Sequence, residues 1–115
     1  SHSLAMDKRR HPRVAIRDRC WCEGEYVTLY AQIVNVSRGG LFIRTPIPLD
    51  VGCQATITWK PREMDEAVVA DVEVVWHKPL SARRKKYPGM GLRILAIRSG
   101  HQSFQRFIQE HAALD

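Results

Sequence analysis

The chain is 115 residues long, 44% hydrophobic and 26% charged, with a formal net charge of +6. That length fits one domain with one core, and no apolar run approaches the roughly 18–20 residues needed to span a bilayer. The excess of Lys and Arg favours a polyanionic partner, and the lack of a signal-peptide pattern makes the cytosol the expected compartment.

Residues 1–7 read as a leader outside the fold: Ser1 to Ala5, ahead of Met6, has the character of a vector remnant. Lys8, Arg9, Arg10 and Arg13 crowd the next segment. Val14 to Cys22 alternates weakly and is expected to be the first strand. Cys20 and Cys22 would share one face of it as packing residues. With Cys53 they make an odd number of cysteines without zinc-ligand spacing, as expected of free thiols in a reducing compartment. Val27 to Ile33 alternates apolar and polar residues and predicts a strand with one buried face. Gly40 to Thr45 is a short strand entered through Gly39-Gly40 and closed by Pro46 and Pro48. Gly52 to Lys60 is the next, with Ala55, Ile57 and Trp59 on one parity.

Val68, Ala70, Val72, Val74 and Trp76 predict a strand with one inward face. A loop from Pro79 to Pro88 carries the basic run Arg83 to Lys86, and Gly89 to Ile97 reads as the last strand. The period then changes. Phe104, Phe107, Ile108 and Ala112 have the spacing of an amphipathic helix, and Ser99 with Gln102 fits a capping box at its start. The fold class expected is all-β with a terminal helix: a six-stranded antiparallel barrel covered at one end or side by the C-terminal helix.

Catalytic chemistry has no residues to rest on. His2, His11, His77, His101 and His111 are scattered without metal-ligand spacing, and no P-loop, Rossmann fingerprint or nucleophile elbow is present. The expectation is a binding protein and not an enzyme, with no metal and no cofactor. Two motifs carry binding chemistry. Arg9-Arg10-His11-Pro12-Arg13 is an R-x-x-x-R segment with an extra arginine. A guanidinium makes bidentate bonds to phosphate or to guanine O6 and N7, and it stacks on purines. Asn35-Val36-Ser37-Arg38-Gly39-Gly40 has the form [DN]-x-S-x-x-G. Asn35 can pair with a base edge, and Ser37 can hold the turn or donate to a phosphate. Gly39 and Gly40 allow positive φ and close approach of a ligand to bare backbone.

These motifs, in this order, resemble the PilZ family, whose members bind the bacterial second messenger cyclic di-GMP. Val74-Val75-Trp76 and Gly89-Met90-Gly91-Leu92-Arg93 look like the family's later strands. The resemblance implies a PilZ domain over residues 8–115. It also implies a ligand site built from Arg9, Arg10, Arg13, Asn35, Ser37, Arg38, Gly39 and Gly40. Trp76 stands between two readings: its parity matches the inward Val72 and Val74, yet similar members set an aromatic near this strand end beside the base. The function implied is a receptor that signals to an effector protein through an ordered N-terminal arm, binding the ligand as a monomer or as an intercalated dimer. The alternatives are a basic barrel for single-stranded nucleic acid, disfavoured by a scarcity of assignable exposed aromatics, and a PilZ-like interaction module that has lost its ligand.

Overall fold

A computed structural model describes residues 14–78 and 87–112. The leader, Arg9, Arg10, Arg13 and the basic run Arg83 to Lys86 lie outside the described residues. The elements in chain order are β1 (Val14–Ala15), β2 (Arg19–Glu23), β3 (Thr28–Val36), β4 (Gly40–Arg44), β5 (Gln54–Trp59), β6 (Val68–Lys78), β7 (Gly89–Ser99) and α1 (His101–Ala112). All strand pairings are antiparallel, and the ring β3–β2–β5–β6–β7–β4 closes because β4 also pairs with β3. The result is the expected six-stranded barrel, with β1 as an extra segment. β1 and β2 run along the same edge of β3 as one broken strand. The amide of Ile16 donates to the Val34 carbonyl (3.0 Å) and that of Ile33 to the Asp18 carbonyl (2.7 Å), which carries the pairing through the break.

Alternation places Cys20, Cys22, Ile33, Ile43, Ile57 and Val72 inside, each at most 2% exposed. Helix α1 lies across one end of the barrel on its apolar stripe. The Trp59 ring meets Phe107 edge-on at 5.0 Å and Phe104 at 6.5 Å. The capping box expected from Ser99 does not form, because β7 continues through that residue. Gly100 turns the chain instead, at a φ of 78°, and its carbonyl accepts the Phe104 amide at 2.9 Å. A side chain at Gly100 would collide with the Ala67 backbone, so the cap falls to the residue without one. No described helix is long and apolar enough to cross a membrane.

The break between β1 and β2 has its own anchor. Asp18, 8% exposed, accepts a hydrogen bond from Trp59 Nε1 (2.9 Å) and one from Arg62 Nε (3.0 Å). This ties the first strand to the residues beneath the helix. Asp18→Ala should leave the buried indole N–H unpaired and cost about 1–3 kcal/mol. Chemical denaturation checks this, and a loss much smaller than that of an ordinary core truncation would show that the helix end does not depend on Asp18.

The buried thiols behave as packing groups, as expected. Burial pushes Cys20 up to about 12 and Cys22 up to about 11, with smaller repulsive contributions from Cys22 and Glu23 respectively. The unfolded chain therefore releases these protons first. Their contribution to stability is intact below the ordinary thiol range near 9 and falls as pH rises toward 11, by about 1.4 kcal/mol per pH unit for each thiol. A Cys20→Ala, Cys22→Ala variant should lose less stability than wild type over that interval. In native protein a thiol reagent should label the exposed Cys53 and spare the other two. Fast labelling of all three would contradict the buried placement.

Candidate functional site

The Asn35–Gly40 segment joins β3 to β4 as a tight turn. The Ser37 amide donates to the Gly40 carbonyl at 2.8 Å, and the Ser37 hydroxyl donates to that same carbonyl at 3.3 Å. The Ser37 oxygen in turn accepts the Gly39 amide at 3.3 Å. A hydroxyl has one proton, and here the turn engages it. Neither Gly39 nor Gly40 takes the positive φ expected of it; among the described glycines that conformation belongs to Gly52 and Gly100. Gly40 is needed for another reason. A Cβ there would sit 2.2 Å from the Leu92 carbonyl oxygen on β7, so only glycine lets β4 and β7 approach. Arg38 projects into solvent at the turn's tip.

From this turn a row of outward positions crosses the barrel wall. Ala15 on β1 is opposite Asn35 on β3, Asn35 is opposite Phe42 on β4, Phe42 is opposite Gly91 on β7, and Gly91 is opposite Trp76 on β6. Two bulges make this row. The register shifts between Ile33 and Asn35, and again between Val74 and Trp76. Each inserts one residue and reverses the parity of the residues beyond it. Trp76 is therefore not the core residue that its alternation with Val72 and Val74 implies: it is 42% exposed on the outer face. Its ring stacks on Phe42 with centroids 4.9 Å apart and planes 14° apart.

The Gly-Met-Gly stretch of β7 is the floor under these rings. A Cβ at Gly91 would fall 2.2 Å from Trp76 Nε1, and one at Gly89 would fall 2.7 Å from the Phe42 ring. Met90 between them points inward and is fully buried. The flanking rows bring in basic side chains. One runs Gln32, Arg44, Gly89, Lys78, with the Arg44 guanidinium 4.2 Å from the centre of the Tyr87 ring; the other holds Gly40, then Arg93 bonded to Glu73. The site thus combines a flat aromatic pair, an amide side chain, a backbone turn and several guanidinium groups. That combination suits a purine-bearing anion.

The structure brings Asn35, Ser37, Gly39, Gly40 and Trp76 to one wall. Arg9, Arg10 and Arg13 lie outside the described residues, but the strand they lead into begins at Val14, opposite Val36 and next to the turn. Phe42 and Gly91 belong to the site and were not assigned to it by sequence reasoning. The available signal was the outward parity of Phe42 between Leu41 and Ile43, together with two glycines spaced to leave one face of a strand bare. Exposed aromatics are also less scarce than the sequence suggests: Trp21, Tyr26, Tyr30, Trp76 and Tyr87 are all between 42% and 91% exposed.

A closed barrel with a polar and aromatic surface assembled on its outer wall defines a small all-β domain with its candidate site outside the core. The sequence profile of the PilZ domain matches residues 7–110, and the chain belongs to that family. Solved structures share the fold. The PilZ domain of YcgR from Escherichia coli, described with c-di-GMP, superposes with a TM-score of 0.71 at 18% identity, over 92% of each chain. The inhibitor of motility MotI/DgrA of Bacillus subtilis gives 0.75 at 13% identity over 93% of this chain. MrkH, described as a c-di-GMP-dependent transcription regulatory factor, gives 0.57 at 19% identity over 89%. The chain spans about half the length of the last two, 52% and 48%. No curated protein matches the sequence.

The two glycines should respond differently to alanine. Gly40→Ala forces the Leu92 backbone away and should destabilise the fold by several kcal/mol, read as a lowered denaturation midpoint. Gly91→Ala meets a side chain and should mainly unseat Trp76, changing its fluorescence at a stability cost of about 1 kcal/mol. A Gly91→Ala protein with unchanged tryptophan emission would disprove the floor assigned to β7.

Proposed function

We propose that this PilZ domain is a cyclic di-GMP receptor that acts through a partner protein and not through catalysis. The observation that carries the reading is the row Asn35–Phe42–Gly91–Trp76, set on the wall where the arginine-rich segment meets the barrel. Trp76 offers a half-exposed indole to a guanine, with Phe42 behind it. Asn35 supplies the donor and acceptor that a guanine edge requires. Arg9, Arg10 and Arg13 supply bidentate bonds to the phosphates and to guanine O6 and N7. Arg38 and Arg44 add long-range attraction for an anion. The fold shared with the YcgR domain, described with c-di-GMP, supports this reading.

Ligand binding would order the N-terminal arm against the wall. The ordered arm and the ligand would then present a surface that the free protein lacks, an order–disorder switch read by an effector. Because the arm continues directly into β1, paired with Val36 and Asn35, gripping the ligand and fixing the arm are one event.

Calorimetry should give specific binding of cyclic di-GMP with Kd in the range of about 0.1–10 μM. Arg9→Ala and Arg13→Ala should each weaken it by about tenfold or more with the fold intact. Trp76→Ala should cost about 1–3 kcal/mol of binding. Cyclic di-AMP should compete at least about 100-fold less well, because adenine lacks O6 and presents N6 donors, and Asn35→Ala should narrow that gap. Equal displacement by both dinucleotides, or by single-stranded DNA, would replace the receptor with a generic anion groove.

A further inference from the structure

On the barrel wall opposite the β4–β7 row lies a second aromatic surface. Trp21 on β2 and Tyr30 on β3 are opposite one another, 50% and 57% exposed, with ring centroids 4.7 Å apart. The Arg19 guanidinium sits 5.7 Å from the centre of the Tyr30 ring. Glu23 is exposed at the other end of the strand. Across from these residues are Gln32, Thr28, Thr56 and Thr58, all uncharged. Arg19 and Glu23 make no ion pair with another described residue, whereas Glu73 and Asp71 on other strands do.

The polarity of this strip identifies its occupant. Trp21 lies midway between Arg19 and Glu23, about 6–7 Å along the strand from each. A two-fold axis lying in the plane of contact and crossing β2 at Trp21 would therefore lay Arg19 of one copy over Glu23 of the other, twice, with the aromatic pairs meeting at the centre. A nucleic acid would meet Glu23 and the neighbouring exposed Glu25 as like charges. Trp, Tyr and Arg at the centre with charges toward the rim is the composition of a protein interface, and two twisted sheet faces pack well with strands nearly aligned. We propose that this face is the site of an isologous dimer of the chain. Such a dimer leaves both β4–β7 walls outward, free to engage a partner bivalently.

The test is sedimentation equilibrium of the full chain without ligand. Wild type should shift toward twice the monomer mass with rising concentration. Trp21→Ser, Arg19→Glu and Glu23→Arg should each weaken association by at least about tenfold, with far-UV circular dichroism unchanged because all three side chains are exposed. An equimolar mixture of the Arg19→Glu and Glu23→Arg chains should associate as a heterodimer, since each charge then finds its opposite. A monomer at every concentration would overturn the proposal. So would a dimer indifferent to Trp21→Ser, or a mixture that associates no better than either variant alone.

Discussion

A sheet that closes on itself leaves no unpaired edge for another chain to join, but six strands close only if some of them bend. Here single extra residues make the bends. Val34 is inserted opposite β4, Val75 opposite β7, and Leu95 and Arg98 are the extra residues that β7 presents to β6. A bulge increases local twist and at the same time reverses which face the next side chains take. Closure of the barrel and composition of its outer wall are therefore set by the same residues. Asn35 and Trp76 reach the surface because the chain had to turn where they stand.

The second constraint is close approach. Where β4 meets β7, the backbone leaves no room for a Cβ at Gly40, and where the Phe42 and Trp76 rings lie on β7 it leaves none at Gly89 or Gly91. These three glycines are retained because two surfaces touch, not because of unusual dihedral angles. The conformational entropy lost at each, roughly 0.5–1 kcal/mol relative to alanine, is offset by the backbone ladder at Gly40, by aromatic packing at Gly91 and by both at Gly89. The Ser37 hydroxyl ties the same turn together, bonded to both Gly39 and Gly40.

Period-two alternation was sufficient to locate every strand of the barrel, and the 3.6 period of Phe104, Phe107 and Ile108 to locate the helix. Strand ends were less legible: β3, β6 and β7 each run two or three residues beyond the alternating core. Bulges are the physical reason. A single inserted residue has no signature in a pattern of apolar and polar letters, so parity alone left Trp76 between a core position with Val72 and Val74 and a place on the surface. The break at Ile16–Asp18 likewise read only as weak alternation. The turn motif was legible as a motif but not in its mechanics. Whether Gly40 serves φ or proximity depends on Leu92, more than fifty positions away, and no local pattern carries that distance. Ser99 illustrates the same limit, since its capping role is removed by a β7 ladder that extends to Val69.

The division of labour between the barrel's interior and its wall is set by the residues that fill it. The interior holds aliphatic side chains and two protonated thiols whose ionisation is suppressed, so it has neither the volume nor the polarity to take a charged dinucleotide. In a barrel of this size the inward positions are a packed core, and the outer wall is what remains for the proposed recognition. A convex wall is a poor binding surface alone, because a ligand lying on it keeps most of its area in water. Two features compensate here. Stacked rings give a flat platform, and in the proposed receptor the arginine-rich segment feeding β1 would supply a second side to what would otherwise be an open surface. In the proposed receptor the barrel would contribute rigidity and position, and the arginine-rich segment charge and enclosure, so that neither alone would enclose an anion.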